Sequence, residues 1–326
     1  MNSMIKKISK SINLELNQFN LFFNQNLESN VKIINYIISY ITKMKGKQLR
    51  PILCILSSKI NGLDANNKTY LSSSIVEILH VATLLHDDVV DESDIRRGWP
   101  SINKIWRNKL SILVGDYMFS VALISTAKLN NLKSIDILSN LSKRLSEGEI
   151  LQIEKSFKKD MDEKTYFKMI SDKTASLISA SCYLGALSTS DDEKVAMKMK
   201  KFGEYLGIAY QLKDDLFDVC GNILDTGKPS MLDLKKNMLT LPYIKMLSSL
   251  NNETKSSLIR KLKSYYLKRN ISKLKQYIIE SGAIDYTQSK IEEYSNLAIN
   301  ELVDFNDSIY KETLLDIVAF NKTRKY

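Results

Sequence analysis

Two acidic motifs of the same form constrain this chain more than any other feature. The pattern D-D-x-x-D begins once at Asp87 and again at Asp214, each time after a stretch with few charges. Residues four apart share a helix face, so Asp87 and Asp91 point the same way, as do Asp214 and Asp218. Either motif alone fits a solvated acidic helix end, since short patterns arise by chance. Two copies on apolar helices predict facing walls of oxygen ligands, which suit Mg²⁺ and a diphosphate between them.

The rest of the chain predicts helices. Only 4 prolines and 11 glycines interrupt 326 residues, and apolar residues recur at helical spacing. The predicted helices cover residues 31–44, a segment from Leu49, and residues 67–92, 110–129, 135–156, 163–185 and 191–220, with a loop at 221–233. Neither a repeat nor a linker divides the chain. We therefore expect one all-α domain over residues 1–326, with residues 1–28 as a peripheral N-terminal helix and a helix bundle around a deep central cavity.

Charge and cysteine usage exclude several classes of protein. The net charge is +10, but lysines greatly outnumber arginines and are scattered, which argues against nucleic-acid binding. A weak, peripheral attraction to anionic lipid remains open. The three cysteines are isolated, as expected in a reducing compartment. We find neither a signal peptide nor a run of roughly 18 apolar residues, so a cytoplasmic protein is expected.

Two basic segments accompany the acidic motifs. Residues 46–51, Gly-Lys-Gln-Leu-Arg-Pro, place two cations at a predicted helix start, where an anion would bind. Arg96 and Arg97 follow the first motif by just over a turn, and a guanidinium fork matches phosphate oxygens. His80 alone is more typical of a core histidine than of a ligand. Four other polar residues, each more typical of a surface when taken singly, are Lys173, Thr174, Gln211 and Lys228.

Together these segments resemble the trans-polyprenyl diphosphate synthases. Residues 84–98 and 210–218 are similar to the two aspartate-rich motifs of that family. Other segments match in the same order, namely Gly46 to Pro51, Val114-Gly115-Asp116, Glu147-Gly148-Glu149 and Lys173-Thr174. The resemblance covers roughly residues 30 to 320 and is strongest to the long-chain members. It implies the isoprenoid synthase fold and an elongating prenyltransferase whose octaprenyl product would become a quinone side chain.

The resemblance also implies roles for individual residues. About three Mg²⁺ ions would bind the diphosphate of an allylic substrate, which the resemblance implies is farnesyl diphosphate. The metal-site residues would be Asp87, Asp88, Asp91, Asp214, Asp215 and Asp218, with Asp88 and Asp218 in supporting positions. Arg96, Lys173 and Lys228 would contact the same diphosphate. Isopentenyl diphosphate would bind at Gly46, Lys47, Arg50, His80 and Arg97. Thr174 and Gln211 would face the developing allylic cation, and residues 110–156 would form a homodimer interface.

The segment after the second motif departs from the family pattern. Met231 and Leu232 stand where the family usually has a glycine and an acidic residue, and Asn237 and Met238 replace a glycine and a lysine. Tyr210 replaces the more usual phenylalanine. We expect a flap that closes differently, the loss of one diphosphate contact, and activity that is retained but lowered.

Product length follows from the residues that precede the first motif. The hydrocarbon chain is expected to grow towards the N-terminus of that helix, past Thr83, Ala82 and Leu79, none of which is aromatic. In short-chain members of the family, a bulky aromatic near Ala82 closes the tunnel. Met118, Phe119 and Ala122 are the expected facing wall. A long product is therefore expected, although plain core residues would give the same pattern.

Three other functions remain open. A terpene cyclase needs no isopentenyl diphosphate site, so Lys47, Arg50 and Arg97 argue against one. A non-catalytic or weakly active partner subunit of a heteromeric synthase usually lacks acidic motifs, yet the altered flap keeps that alternative open. A shorter-chain geranylgeranyl synthase is the third.

Overall fold

The computed structural model describes residues 8, 10–44, 46–221, 231–248, 250–267 and 270–324. The helices in chain order are α1 (Asn13–Asn26), α2 (Lys32–Lys43), α3 (Leu49–Ser58), α4 (Asn67–Val90), α5 (Ile102–Lys128), α6 (Leu132–Lys158), α7 (Glu163–Ile170), α8 (Ser176–Thr189), α9 (Glu193–Cys220), α10 (Leu232–Lys235), α11 (Leu241–Leu247), α12 (Asn252–Leu267), α13 (Ile271–Glu280), α14 (Ala283–Glu301) and α15 (Ile309–Thr323). A two-stranded hairpin of β1 (Ile95–Arg96) and β2 (Trp99–Pro100) joins α4 to α5.

The prediction of an all-α fold is confirmed, and the two helices that carry the acidic motifs lie close to their expected bounds. Helix α4 begins with a capping box, in which the Asn66 side chain accepts from the backbone N–H groups of Lys68 and Thr69. Helix α9 begins beside Asp192, whose side chain accepts from the N–H of Lys194. These caps satisfy N–H groups that a helix start leaves without partners.

Three local features differ from the predicted helices. The helix expected at residues 163–185 contains a π-helical turn at Ser171–Ala175, here called the π-turn, between α7 and α8. Helix α5 begins eight residues earlier than expected and is kinked at Arg107, where φ is 67°. The β-hairpin was not predicted. Its turn residues, Arg97 and Gly98, have φ values of 52° and 80°, as a two-residue turn of this kind requires.

Two hydrophobic cores position the acidic helices. The larger core lies among α3, α4, α5 and α8, and includes the fully buried Ile75, Val76 and Phe202. The second surrounds the C-terminal half of α9, where Leu212 packs with Tyr243 and Ile291. Helix α9 belongs to both cores, because it packs against both α8 and α14. Both acidic motifs are therefore attached to rigid, well-packed helices.

Helix α1 is less peripheral than expected. Phe19 and Phe23 are buried in the larger core, with Ile12 and Leu27 at the two ends of the helix. Leu14 is exposed on the opposite side. The N-terminal helix thus covers one side of the core that contains α3 and α4.

The expectation that no stretch is apolar enough to span a membrane was wrong for α5. Among the described residues, Ile102–Lys128 meets the requirement by length and composition, and 39% of its most apolar window is buried in the protein. A core helix passes the same test. One side of α5 packs on α4, and apolar residues on another side, such as Leu113 and Ile124, are exposed.

Candidate active site

The first acidic motif forms the end of α4. Asp87 and Asp88 occupy its last turn, and Asp91 is the residue at which the helix stops, with its N–H bonded to the Asp87 carbonyl at 2.8 Å. Burial raises the pKa of Asp87 to about 6, against the opposing effect of Lys173; the carboxylate of Glu149 raises it further. A concentration of buried carboxylates at the end of a helix is unfavourable in itself, because a helix C-terminus already carries partial negative charge.

Asp88 has a different environment from Asp87. It is buried, and its two oxygens face the Nε and Nη2 of Arg96, both at 2.7 Å. This is a close ion pair with one charge-assisted hydrogen bond, from Arg96 Nε to one carboxylate oxygen. Arg96, which the resemblance assigns to the allylic diphosphate, is therefore held in place by Asp88. Asp88 itself supports the arginine and does not face open solvent.

The second acidic motif lies near the end of α9. Asp214 pairs with Arg324 at 2.6 Å, and the Arg324 guanidinium lies 3.9 Å from the centre of the Tyr210 ring. Asp215 is buried and accepts hydrogen bonds from Tyr166 and, at 2.7 Å, from Gln211. Burial raises the pKa of Asp215 to about 7. Like Asp88, it is engaged by protein groups and supports the residues around it.

Asp218 connects the second motif to the residues that follow the flap. Its carbonyl accepts from Met231 N–H at 2.7 Å, and its carboxylate accepts from Asp233 N–H at 3.3 Å. Burial raises the pKa of Asp233 well above its ordinary value, and the carboxylates of Asp218 and Asp215 add to this effect. The second motif thus extends into a group of four carboxylates.

Two lysines connect the two motifs. Lys236, from the segment after the flap, contacts Asp91 of the first motif at 3.1 Å. Lys173 contacts Glu149 at 2.5 Å, and its positive charge lowers the pKa of Asp87 and that of Asp233. Both motifs therefore face the same space, as their repetition in the sequence predicts.

A group of cations lies beside the acidic motifs. Burial lowers the pKa of Lys47, of Arg50 and of Arg97, and the nearby guanidinium groups reinforce the effect. The carboxylate of Glu77, buried in α4, has the opposite effect and raises the pKa of Arg50 and of Arg97. Burial and the same arginines hold the pKa of His80 well below its usual range, so its ring is neutral at pH 7. Crowded cations that destabilise one another's charge are suited to an anionic ligand.

The Arg97 guanidinium occupies the space beside Gly46. A Cβ atom at residue 46 would lie 2.4 Å from Arg97 Nη2, closer than any real contact. Arg97 Nη1 also donates to the Met44 carbonyl at 2.8 Å. Gly46 therefore contributes to the cation group, because its lack of a side chain leaves space for the Arg97 guanidinium.

Lys173, Thr174 and Gln211 come together as the resemblance implies. Thr174 Oγ1 donates to Gln211 Oε1 at 2.9 Å, while Lys173 Nζ donates to Gln152 Oε1 at 3.0 Å. The π-turn supplies the first two residues and α9 the third. Lys228, also assigned to the allylic diphosphate, lies outside the described residues.

The residues expected to set product length line the contact between α4 and α5. His86 faces α5, where it stacks on Phe119 at 5.7 Å and leaves no room for a side chain at Gly115. Ala82 and Leu79 lie on the same side of α4 by helical spacing and are buried. Met118 and Ala122 are buried in the same core, whereas Thr83 is half-buried and bonds to the His80 carbonyl at 2.8 Å. A hydrocarbon chain that followed this path would lie between α4 and α5.

The carboxylates fit a Mg²⁺ ion that they would hold together with substrate phosphates. Within the described part of the chain, no three acidic, histidine or cysteine side chains converge as a complete ion cage. Mg²⁺ rarely needs one, because it commonly binds one or two carboxylates together with water and substrate phosphates. The raised pKa of Asp87 shows a carboxyl group whose ionised form lacks sufficient positive charge nearby. A divalent cation would supply that charge.

Sequence reasoning missed four charged residues of this site, namely Glu77, Asp233, Lys236 and Arg324. The signal for Glu77 was available, because it is a carboxylate inside the apolar run before the first motif. Arg324 could not be found in this way, since it lies 110 residues from its partner Asp214.

Comparisons with known proteins agree with this geometry. The family model described as polyprenyl synthetase matches residues 31–280. The chain is 30% identical to an octaprenyl diphosphate synthase of Haemophilus influenzae over 323 residues, which cover 99% of this chain and 98% of that protein. It is also 30% identical to component 2 of a heptaprenyl diphosphate synthase of Bacillus subtilis, over 93% of this chain and 86% of that one.

A solved structure is similar over the whole chain. A polyprenyl synthase from Caulobacter crescentus, crystallised with calcium and isoprenyl diphosphate, superposes with a TM-score of 0.88 at 28% identity. The superposition covers 99% of this chain and 98% of that one.

Proposed function

The chain belongs to the polyprenyl synthetase family, whose members are prenyltransferases, and we propose that it joins successive isopentenyl diphosphates to an allylic diphosphate. The proposed primer is farnesyl diphosphate and the proposed product is an octaprenyl chain for a quinone, made in the cytoplasm with Mg²⁺. The Haemophilus relative supports this length. So does the lack of an aromatic residue at Leu79, Ala82 and Thr83. Other relatives are named for a heptaprenyl product, so the product length is the part of the proposal that a product assay must decide.

One observation carries the proposal. The cation group at Lys47, Arg50 and Arg97 lies near the second acidic motif, because both Asp214 and its ion-pair partner Arg324 act on the charge of Lys47. Carboxylates suit a metal-bound diphosphate, and crowded cations suit a second diphosphate that carries no metal. Two anionic substrates would therefore meet with their reactive ends close together, which is the requirement for a condensation.

The residues present fit the chemistry of that condensation. Breaking the carbon–oxygen bond of the allylic substrate leaves negative charge on its diphosphate, and Lys173 and Arg96 are fixed where they would stabilise it. Mg²⁺, when bound, would add further positive charge to the same diphosphate. Thr174 and Gln211, which bond to one another beside Asp215, would present oxygen atoms to the allylic carbon. The packed helices around them exclude water, which would otherwise capture the cation.

The chain elongation follows from the same arrangement. The double bond of isopentenyl diphosphate, bound at Lys47, Arg50 and Arg97, attacks the allylic carbon, and loss of a proton restores an alkene. The released diphosphate is the base that we favour, because it lies next to the proton that leaves. Each cycle lengthens the hydrocarbon by one unit, which moves into the space between α4 and α5.

We also propose a homodimer formed through α5 and α6. Exposed apolar side chains follow one side of each helix, at Leu113 and Ile124 on α5 and at Ile150 and Phe157 on α6. Their separations of 11 and 7 residues place each pair on one face. Exposed apolar side chains aligned along helices in this way are typical of an interface. Sedimentation of the purified protein would measure the assembly.

The function is tested by sizing its products. We would incubate the purified protein with Mg²⁺, farnesyl diphosphate and labelled isopentenyl diphosphate, and separate the products after dephosphorylation. Products that end near octaprenyl would support both the reaction and the length. Asp87→Asn and Asp214→Asn should each abolish turnover, whereas Asp307→Asn, on the exposed surface, should leave it unchanged.

A second candidate is one subunit of a two-component synthase. It is favoured by the similarity to a protein named as component 2 and by the exposed apolar face of α5 and α6. In that case the purified chain alone would give no product with either farnesyl or geranylgeranyl diphosphate. A ladder from the pure protein would exclude this candidate.

A further inference from the structure

The π-turn is an unusual place for two functional residues. Its hydrogen bonds run from residue i to i+5, a geometry that is wider and rarer than the α-helix and often occurs at functional sites. It presents Lys173 to Glu149 and Gln152, and Thr174 to Gln211. Because helix hydrogen bonding favours the ordinary α-helix, contacts from outside must keep the turn in this form.

Helix α6 contacts the π-turn at its backbone. A Cβ atom at Gly148 would lie 2.7 Å from the Lys173 nitrogen, so the two backbones touch here. Arg144 lies four residues before Gly148 and therefore on the same face of α6. This places its guanidinium at the first residues of the π-turn.

Arg144 binds three side chains at once. Its Nε donates to Asp172 Oδ1 and its Nη2 to Ser171 Oγ, both at 2.7 Å. Its Nη2 and Nη1 also contact the two oxygens of Glu204, at 2.7 and 3.4 Å. Ser171 in turn donates to Glu204, and Lys168 donates to the second oxygen of Asp172 at 2.7 Å. The guanidinium thus joins the start of the π-turn to α9.

Helix α9 contacts both ends of the π-turn. Glu204 and Gln211 are seven residues apart, which is about two turns, and so share a face of α9. Glu204 meets Ser171 through Arg144, and Gln211 meets Thr174 directly. The start and the end of the turn are therefore both fixed to one rigid helix.

We propose that Arg144 is a positioning residue that maintains the register of the π-turn and thereby aims Lys173 and Thr174. This inference rests on the proposed function, which gives those two residues their roles. Without the guanidinium, the turn can lose its extra residue and become α-helical, which rotates the residues on one side of it by about 100°. Lys173 would then leave the allylic diphosphate, while Lys47 and Arg50 would stay where they are.

The kinetic test compares Arg144→Met, Arg144→Lys and a matched control. The control is Lys201→Met, which removes an exposed cation from α9 three residues before Glu204 and outside the proposed dimer interface. Arg144→Met should lower kcat/KM for the allylic diphosphate about ten- to a hundredfold, with the KM for isopentenyl diphosphate unchanged. Arg144→Lys should recover part of the loss, since an ammonium group lacks the planar fork. The control should match the wild type.

Hydrogen exchange gives a second measurement that needs neither substrate nor metal. Backbone amides of residues 168–177 should exchange faster in Arg144→Met than in the wild type, and Lys201→Met should not change them. If Arg144→Met does not fold, Glu204→Gln removes the same ion pair with little change of shape and takes its place in both assays.

Two results would overturn the inference. One is an Arg144→Met protein with normal allylic kinetics and normal exchange. The other is an equal loss for both substrates with faster exchange throughout the chain, which would indicate a general loss of stability. An inactive wild-type protein would instead refute the proposed function, and the exchange experiment would still decide whether Arg144 maintains the turn.

Discussion

Replacement of Ala82 by phenylalanine tests whether the hydrocarbon grows between α4 and α5. Ala82 is fully buried on the side of α4 that faces α5, five residues before Asp87. Five residues correspond to about 7.5 Å along the helix axis. An isoprene unit advances about 5 Å, the length of four single bonds in an extended chain. The roughly 7.5 Å correspond to about one and a half units, so a phenylalanine at this depth should allow no more than one or two units beyond Asp87.

The assay uses geranyl diphosphate as primer, so that short products can be seen. Ala82→Phe should stop at about three units, whereas the wild type should continue well beyond that length. Added bulk in a filled core also costs about 1–3 kcal/mol. That corresponds to a fall in Tm of roughly 2–10 °C in a chain of this size.

Ser73→Phe is the matched control for the loss of stability. Ser73 lies on the same helix, nine residues earlier and hence on the opposite side, and is equally buried beside Cys54. It should lose similar stability and keep the wild-type product. Equal product lengths in Ala82→Phe and wild type would refute the proposed path, as would an equal shortening by Ser73→Phe.

Three further predictions concern the charged residues. Burial raises the pKa of Asp87 to about 6, so its ionised form destabilises the metal-free protein above that pH and not below about pH 4. Asp87→Asn should therefore raise the unfolding free energy by about 2–3 kcal/mol at pH 7.5, measured with chelator present, and by little at pH 4. Gly46→Ala should displace the Arg97 guanidinium and raise the KM for isopentenyl diphosphate about tenfold at unchanged Tm. Arg324→Met should tighten Mn²⁺ binding without substrate about tenfold in calorimetry, because the ion no longer competes with a guanidinium for Asp214.

Each of these has a result that contradicts it. A stability gain in Asp87→Asn that is the same at both pH values would exclude ionisation as the cause. For Gly46→Ala, an equal rise in the KM of the allylic substrate would show a general distortion of the site. Weaker Mn²⁺ binding in Arg324→Met would mean that the guanidinium orients Asp214 and does not compete for it.

Much of the fold could be predicted because its main helices have strong periodic patterns. Helices α4 and α9 were expected within a few residues of their observed ends, and local caps at Asn66 and Asp192 account for their starts. The π-turn was missed because one extra residue at Ser171–Ala175 leaves the apolar spacing on either side intact. The hairpin was missed because Arg97, in its turn, has no side-chain feature that favours positive φ.

The candidate site was predictable where residues lie within one motif and not where they meet across the chain. Spacing alone indicated that Asp87 and Asp91 act together, and the raised pKa of Asp87 agrees with a cation site. The contacts of Lys236 with Asp91 and of Arg324 with Asp214 depend on how distant helices pack. Periodicity gives which face of a helix is buried but not which partner covers it, so these pairs required the structure.

The short hairpin between α4 and α5 has a consequence for the order of events in catalysis. Arg96 pairs with Asp88 beside the allylic side of the site, and the next residue, Arg97, lies over Gly46 on the isopentenyl side. With only Gly98 completing the turn, a movement of the hairpin backbone would shift both arginines. In the proposed reaction, a backbone shift at one diphosphate would therefore also move the guanidinium at the other. Such a linkage would delay ionisation until both are in place and so limit wasteful hydrolysis of the primer.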